Sequence, residues 1–223
     1  MKRKFISYIE TSKYNIGISE TYLYFYDKNE NEIKKCYDIH YAYRGIVSPK
    51  EDLFALKSTD GYLAIYSLDT LELVAKIDSS DVDGSQDDNF IFSPDGKFLL
   101  NIERHINSLI TRLSIYDMIN FKLYKRLFDT NDNLVLSLIE FDKKTNTYFI
   151  LGFERMSNTE ENTHFVSKFE NDELVEMKYI SKEVHLNYII SKNENLVYPS
   201  FLLKLLFKNR NSFKSLYEMW AKS

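Results

Sequence analysis

The stretch Ser93-Pro94-Asp95-Gly96 constrains the fold because it makes the chain reverse direction between two runs of sheet-forming residues. Its proline fixes its own φ angle, and the Asp-Gly pair that follows is typical of tight turns. Bulky apolar side chains precede the turn at Phe92 and follow it at residues 98–100. This arrangement predicts a β-hairpin.

Similar turns recur along the chain at intervals of 36 to 49 residues, at positions Ser12, Ser48, Ser93, Asp142 and Ser191. A second landmark, an aromatic residue at the end of each predicted third strand, recurs at Tyr26, Tyr66, Tyr116 and Phe169. Repeats of about 40–50 residues, each with four short strands, are typical of propeller blades. We predict four antiparallel four-stranded blades, at residues 5–40, 41–80, 89–128 and 134–181.

The Ser-Pro-Asp-Gly-Lys turn, the apolar strand after it and the Tyr-Asp ending of the next strand resemble the repeats of WD-repeat and YVTN-type β-propellers. The resemblance is strongest in residues 45–127. It implies an all-β fold, namely a small or incomplete β-propeller of four to five blades with a C-terminal helical segment. Tyr or Phe stands where a WD repeat has Trp, and no Gly-His pair precedes the first strands. The hydrogen-bonded network of that family is therefore not implied.

The repeat pattern breaks down in the last part of the chain. Two strands of a fifth unit are predicted at residues 188–190 and 195–198, and Pro199 follows them. Apolar residues then occur at helical spacing, which predicts one or two helices over residues 200–221. We therefore divide the chain into a blade array, residues 1–198, and a helical extension, residues 199–223, that packs on the array.

Composition limits the location and the partners of the protein. The formal net charge is −4, and Cys36 is the single cysteine, so no intrachain disulfide can form. Because the apolar run near the N-terminus is too short for a signal peptide, we expect a cytoplasmic protein. The acidic balance disfavours nucleic acid and favours a basic protein partner. We expect Cys36 to be a buried or edge thiol rather than a nucleophile.

Propeller topology brings the loops between blades, and those between second and third strands, to one common face. Seven polar residues fall in or beside these loops and are our candidate partner-binding residues: His40, Tyr41, Tyr43, Arg104, His105, Arg155 and His185. The alternative is that they are ordinary solvated loop residues. The histidines lack metal-site spacing, and the acidic stretch 79–90 lacks the end ligands of a calcium loop. We therefore expect neither a metal nor a cofactor.

The sequence contains no nucleophile elbow, no Gly-rich phosphate loop and no metalloprotease His pair. We expect a non-enzymatic β-propeller that binds another protein, and a bacterial immunity protein that blocks a toxin is one concrete form. One alternative is a small-molecule or sugar-processing enzyme with its site at the channel mouth. Another is a membrane-associated scaffold that uses the basic segment 200–221. We favour this alternative less, because a helix that covers the edge of the blade array explains the same residues.

Overall fold

The structure is a computed structural model that describes residues 5–59, 61–78, 82–83, 89–105, 111–129, 133–142, 145, 147–156, 161–192 and 213–223. Most of these residues form four antiparallel sheets. Each sheet has four strands in sequential order, and one of the sheets has a short fifth strand in addition. The chain divides into two compact units, Met1–Leu127 and Phe128–Ser223. We call them unit 1 and unit 2 and describe each by itself.

Unit 1 contains three of the four sheets, which are blades 1, 2 and 3. Blade 1 consists of β1 (Ser7–Glu10), β2 (Asn15–Ile18), β3 (Leu23–Tyr26) and β4 (Glu32–Cys36). Blade 2 consists of β5 (Ala42–Val47), β6 (Leu53–Ser58), β7 (Tyr62–Ser67) and β8 (Leu73–Asp78). Blade 3 consists of β10 (Phe90–Phe92), β11 (Phe98–His105), β12 (Thr111–Asp117) and β13 (Lys122–Leu127), and the short β9 (Val82–Asp83) pairs with the end of β11.

Unit 2 contains blade 4 and two helices. Blade 4 consists of β14 (Leu134–Phe141), β15 (Thr147–Glu154), β16 (Thr163–Glu170) and β17 (Glu173–Ile180). The helices are α1 (Lys182–Lys192) and α2 (Leu216–Lys222). Neither helix, nor any other in the described ranges, is long and apolar enough to cross a membrane. The four predicted blades are confirmed, and their bounds agree with the sheets to within a few residues.

The predicted turns between the first and second strands of blades 2 and 3 are held by a serine hydroxyl. In blade 3 the Oγ of Ser93 accepts a hydrogen bond from the backbone N–H of Phe98 at 2.9 Å and donates to the carboxylate of Asp95 at 2.7 Å. In blade 2 the Oγ of Ser48 accepts from Leu53 N–H at 3.0 Å in the same way. The serine thus replaces ladder hydrogen bonds that the reversing backbone cannot make.

The core of unit 1 lies between neighbouring blades, and blade 2 contributes to it with both faces. Phe54 and Tyr66 face blade 1, where Phe25 packs against them at centroid distances of 6.4 and 6.1 Å. Ala55 and Ile65 are the sequence neighbours of Phe54 and Tyr66 and point to the other face, where they join the core shared with blade 3. Because alternate residues of a strand point to opposite faces, the nearly continuous apolar runs of β6 and β7 bury both sides of their sheet.

The recurring aromatic residue of the third strands is a core residue in three blades. Tyr66, Tyr116 and Phe169 are all buried. The hydroxyl of Tyr66 donates to Asp38 at 3.1 Å, so its polar end is satisfied within the core. Cys36 is also buried, as predicted, and burial raises the pKa of its thiol to about 11.

The prediction of a strand at residues 188–190 is wrong, because these residues belong to helix α1. Ser181 begins this helix by accepting a hydrogen bond from Val184 N–H through its hydroxyl, at 3.2 Å. The strand predicted at 195–198 and the first part of the helical extension lie outside the described residues. The proposed division at residue 198 lies there too and stays a prediction.

Glu140 on β14 connects both helices to blade 4. One carboxylate oxygen accepts from the Tyr188 hydroxyl of α1 at 2.7 Å and lies 2.8 Å from the ammonium of Lys192. The other oxygen accepts from the backbone N–H of Leu216, at the start of α2, at 2.9 Å. Trp220 of α2 is half-buried against Phe149, with ring centroids 5.8 Å apart.

We predict that Glu140→Ala destabilises unit 2 by about 2–4 kcal/mol, because it leaves the buried Tyr188 hydroxyl and a helix-terminal N–H without their acceptor. Urea unfolding followed by the fluorescence of Trp220, the single tryptophan, measures this loss. The folded wild type should emit at a blue-shifted wavelength. Glu173→Ala, at an exposed carboxylate of the same blade, is the control and should change stability little. An unchanged unfolding midpoint in Glu140→Ala would contradict the role of this residue.

Candidate functional site

One face of blade 1 carries a row of side chains that crosses all four strands. Tyr8 on β1 pairs with Gly17 on β2, Gly17 pairs with Tyr24 on β3, and Tyr24 pairs with Lys35 on β4. Residues that lie directly opposite in antiparallel strands point to the same face. The opposite face of blade 1 holds the core residues Ile16, Ile18, Leu23 and Phe25.

Aromatic rings extend this row into a continuous surface. We define the tyrosine surface as Phe5, Tyr8, Tyr22, Tyr24, Tyr26 and Tyr37. Adjacent rings contact one another at centroid distances between 5.2 and 6.2 Å. Tyr8 at one end is 43% exposed, and Tyr37 at the other end is 56% exposed. The surface is therefore open at both ends, while Tyr24 in the middle is buried.

Gly17 makes the centre of this surface possible. A Cβ atom at this position would lie 2.6 Å from the ring of Phe5, closer than carbon atoms can approach without a shift of the ring. The missing side chain lets Phe5 lie flat over the strand and contact Tyr8, Tyr24 and Tyr26. The rings are consequently held by packing rather than projecting freely into solvent.

The tyrosine surface already holds one cation. The ammonium of Lys35 lies 3.5 Å from the centroid of the Tyr22 ring and 5.7 Å from that of Tyr24. Partial burial raises the pKa of the Tyr8 phenol, and the carboxylates of Glu30 and Glu10 raise it further. Negative ring faces and these carboxylates both favour a positively charged group next to the surface.

The equivalent face is covered in the other two blades of unit 1. Tyr66 packs toward blade 1, and Tyr116 packs in the core shared with blade 2, so each third-strand aromatic faces the preceding blade. Blade 1 is the first blade of its unit, and its corresponding residue, Tyr26, belongs to the tyrosine surface. The tyrosine surface thus carries the kind of aromatic residue that blades 2 and 3 bury against the preceding blade.

One of the seven predicted site residues, His40, contacts the tyrosine surface, and Tyr41 follows it in the same loop. His40 is exposed, and its ring contacts Tyr37 edge-on at a centroid distance of 4.7 Å. Tyr41 is also exposed, and its backbone is fixed by hydrogen bonds to Glu20 of blade 1 and Thr59 of blade 2. The loop between blades 1 and 2 therefore presents both side chains on a well-held backbone.

The other predicted residues lie elsewhere. Tyr43 on β5 and Arg104 on β11 are half-buried strand residues, and His105 ends β11. Arg155, in unit 2, is half-buried directly after β15. That these residues share one binding face stays a prediction.

The prediction that His185 lies in a loop is wrong, because it sits inside helix α1 with 3% exposure. Its Nδ1 lies 3.0 Å from the Nδ1 of His164 on β16, which is 5% exposed. Phe153 packs against both rings. The pair attaches α1 to blade 4, and its burial makes it a structural contact rather than a surface site.

In the neutral pair one Nδ1 atom donates its proton to the other, and burial favours this uncharged form of both rings. Burial lowers the pKa of His185 to about 4, and the neighbouring His164 contributes to the decrease. Burial also lowers the pKa of His164, with a further contribution from the Lys182 ammonium. Protonation of either ring at acidic pH therefore opposes the docking of α1.

No group of three or more His, Cys, Asp or Glu side chains in the described ranges is arranged to hold a metal ion. Most of the acidic stretch 79–90, the partial match to a calcium loop, lies outside these ranges.

The tyrosine surface has a signal in the sequence of β3. Tyr22, Tyr24 and Tyr26 alternate with Leu23 and Phe25. Alternation in a strand places the tyrosines on one face and the core residues on the other. A strand with tyrosine at every second position would have indicated an aromatic face opposite the core.

Comparisons with known proteins agree with this architecture. No protein-family model matches the sequence, and no curated protein matches it. The fold is similar to that of hydrazine synthase from Kuenenia stuttgartiensis, with a TM-score of 0.56 and 10% identity over 76% of this chain and 47% of that chain. It is also similar to the WD40 domain of Toxoplasma gondii coronin, with a TM-score of 0.56 and 12% identity over 77% of this chain and 45% of that chain.

The present chain spans less than half the length of each of these two structures. At such low identity the similarity concerns the fold alone. The predicted fold class is confirmed: the chain is an all-β, propeller-type array of four-stranded antiparallel blades with a C-terminal helix.

We predict that the stability of the protein falls as the pH decreases from 6.5 toward 4, because the unfolded chain binds a proton at His185 that the folded chain rejects. The ordinary pKa of 6.5 and the folded value of about 4 bound this window. Across this pH range the free energy of unfolding should decrease by about 3 kcal/mol. Urea midpoints measured at several pH values should show a smaller slope in His185→Leu than in the wild type.

His40→Gln, which replaces an exposed histidine, is the control and should keep the wild-type slope. Equal slopes for His185→Leu and the wild type would refute this role of the buried pair.

Proposed function

We propose that this protein is a non-enzymatic, propeller-type binding protein whose partner is another protein with a basic contact surface. The tyrosine surface on blade 1, together with His40 and Tyr41, is the proposed contact region. The single observation that carries this proposal is the Lys35 ammonium seated 3.5 Å from the Tyr22 ring centroid. A partner's lysine or arginine would make the same kind of contact with the exposed rings.

The aromatic character of the surface supports a protein partner. Tyrosine buries a large rigid area at a small cost in side-chain entropy and is enriched at the centres of protein interfaces. The rings are held in place by Phe5 and by one another, so association would require little reordering. Blade 1 also presents a type of face that blades 2 and 3 bury against their neighbours.

The charge of the chain supports a basic partner. Glu10 and Glu30 lie close enough to Tyr8 to affect its pKa, and the whole chain carries a net charge of −4. Such a surface attracts a basic protein at long range and disfavours acidic ones. An immunity protein that blocks a basic toxin is a concrete form of this proposal, and the small acidic chain supports it. The single cysteine supports a cytoplasmic location.

We expect Tyr8→Ala/Tyr37→Ala to reduce the affinity for the partner by about thirtyfold or more, the effect of losing an interface hot spot. The partner is first captured from native lysate with the wild-type chain, identified, and purified. Its dissociation constant is then measured against the wild type and the variant by calorimetry. Raising the salt concentration should weaken the wild-type complex, because exposed opposite charges are screened.

Tyr124→Ala is the matched control, because this tyrosine is 58% exposed on β13 of another blade. It should leave the affinity unchanged. Equal affinity of the wild type and the double variant would refute the tyrosine surface as the contact region. A double variant with a much lower melting temperature and an unchanged affinity would refute it as well. That result would show that the two rings stabilise the fold and do not contact the partner.

A further inference from the structure

The outer strand of blade 4 is longer than the outer strands of the other three blades. β17 pairs with β16 on one side, and no described strand pairs with its other side. It contains eight residues, whereas β4, β8 and β13, the outer strands of the other blades, contain five or six. Leu174, Val175 and Tyr179 are exposed large apolar side chains on this strand. Long edges with exposed apolar residues are sites where another strand can add.

The charges of β17 are arranged so that two antiparallel copies of the strand would match each other when Met177 is at the centre. Glu176 precedes the central methionine and Lys178 follows it. Apolar residues lie on both sides of this pair, with Leu174 and Val175 before it and Tyr179 and Ile180 after it. When two copies of such a strand pair antiparallel with their methionines opposite, each acidic residue faces the basic residue of the other copy. Opposite charges at directly opposed positions stabilise a strand pair, and like charges destabilise it.

We propose that two copies of this chain associate through β17, in an antiparallel arrangement centred on Met177. Glu176 of each copy then pairs with Lys178 of the other. The proposal goes beyond the proposed function, since it concerns unit 2 and a second copy rather than the tyrosine surface. Two blades would join into one eight-stranded sheet across a two-fold axis.

The side chains of β17 are available for this pairing. Glu176 is exposed and has no ion-pair partner within the described part of the chain. The Lys178 ammonium donates one hydrogen bond, to the carbonyl of Trp220 at 3.0 Å. An ammonium has three donors, so a carboxylate of the second copy can still be bound.

A bulge in β17 also fits this arrangement. The register with β16 shifts between the pairs Lys168–Glu176 and Phe169–Leu174, which leaves Val175 as the extra residue. Leu174 consequently points to the same face as Tyr179, whose partner on β16 is Phe165. In the two-fold arrangement Tyr179 of one copy lies opposite the bulge of the other, next to Leu174. A lysine and a bulge commonly protect an edge from pairing, but here both have a complementary counterpart.

The outer strand of blade 3 is a useful contrast. Lys122, Lys125 and Arg126 are all basic, and β13 contains no acidic residue. Self-pairing of β13 would bring together basic side chains with no carboxylate on either strand to pair with them. Blade 3 therefore provides the control position for charge reversal.

The experiment is a charge-swap series measured by sedimentation equilibrium. The wild type should dimerise with a dissociation constant below about 1 mM. Glu176→Lys and Lys178→Glu should each raise the dissociation constant of the dimer by tenfold or more, because each places like charges opposite at both positions. An equimolar mixture of the two single variants should form a heterodimer, since every opposed pair in it is complementary. Lys122→Glu should dimerise like the wild type.

Folding is checked in every variant by the emission of Trp220, which Lys178 contacts at 4.4 Å from the ring. If Lys178→Glu fails this check, Met177→Cys replaces it. Two cysteines on the two-fold axis are close enough for a disulfide. Oxidised Met177→Cys should form a covalent dimer and Lys122→Cys should not, since the native Cys36 is buried. A wild type that stays monomeric, or a dimer that persists in Glu176→Lys, would overturn the proposal.

Discussion

The structure depends on sheets that are apolar on both faces. In blade 2, Phe54 and Tyr66 point one way and Ala55 and Ile65 the other, and all four side chains are buried. Such a sheet cannot be stable alone in water, because either face would expose a large apolar area. Each blade of unit 1 therefore needs a neighbour, and the serine turns, the register and the third-strand aromatics all serve to bring matching faces together. In unit 2 the helices cover blade 4 instead, where Leu216 and Met219 of α2 join Phe149 and Val166 in one core.

The tyrosine surface follows from the same constraint. A blade at the start of a unit has the face of an internal blade but no preceding blade in that unit. Phenol rings suit this position because they combine a large apolar area with a hydroxyl that water or a partner can satisfy. Gly17 and Phe5 then turn what would be separate rings into a packed layer. A surface built for an interface between blades is thereby open to an interface with another molecule.

The sequence predicted those parts of the fold in which local chemistry decides the structure. The turn residues around Ser48 and Ser93 specify a reversal by themselves, so the blades could be placed without knowledge of their neighbours. Helix α1 was missed because Tyr188-Ile189-Ile190 has the composition of a strand, and its helical form depends on contacts distant in sequence. Tyr188 reaches Glu140, and His185 reaches His164. For the site, His40 and Tyr41 were found because loops could be placed, whereas the tyrosine surface depends on the register of four strands.

The serine-centred turn bears on how far such a chain can diverge. One hydroxyl and the backbone supply its hydrogen bonds, so a blade requires a particular residue at very few positions. Elsewhere it requires only that apolar side chains alternate and fill the space between sheets. Sequences that satisfy these loose requirements are numerous, and two of them can share this architecture while agreeing at only 10–12% of aligned positions. The fold can therefore be retained after sequence similarity has fallen too low to be recognised.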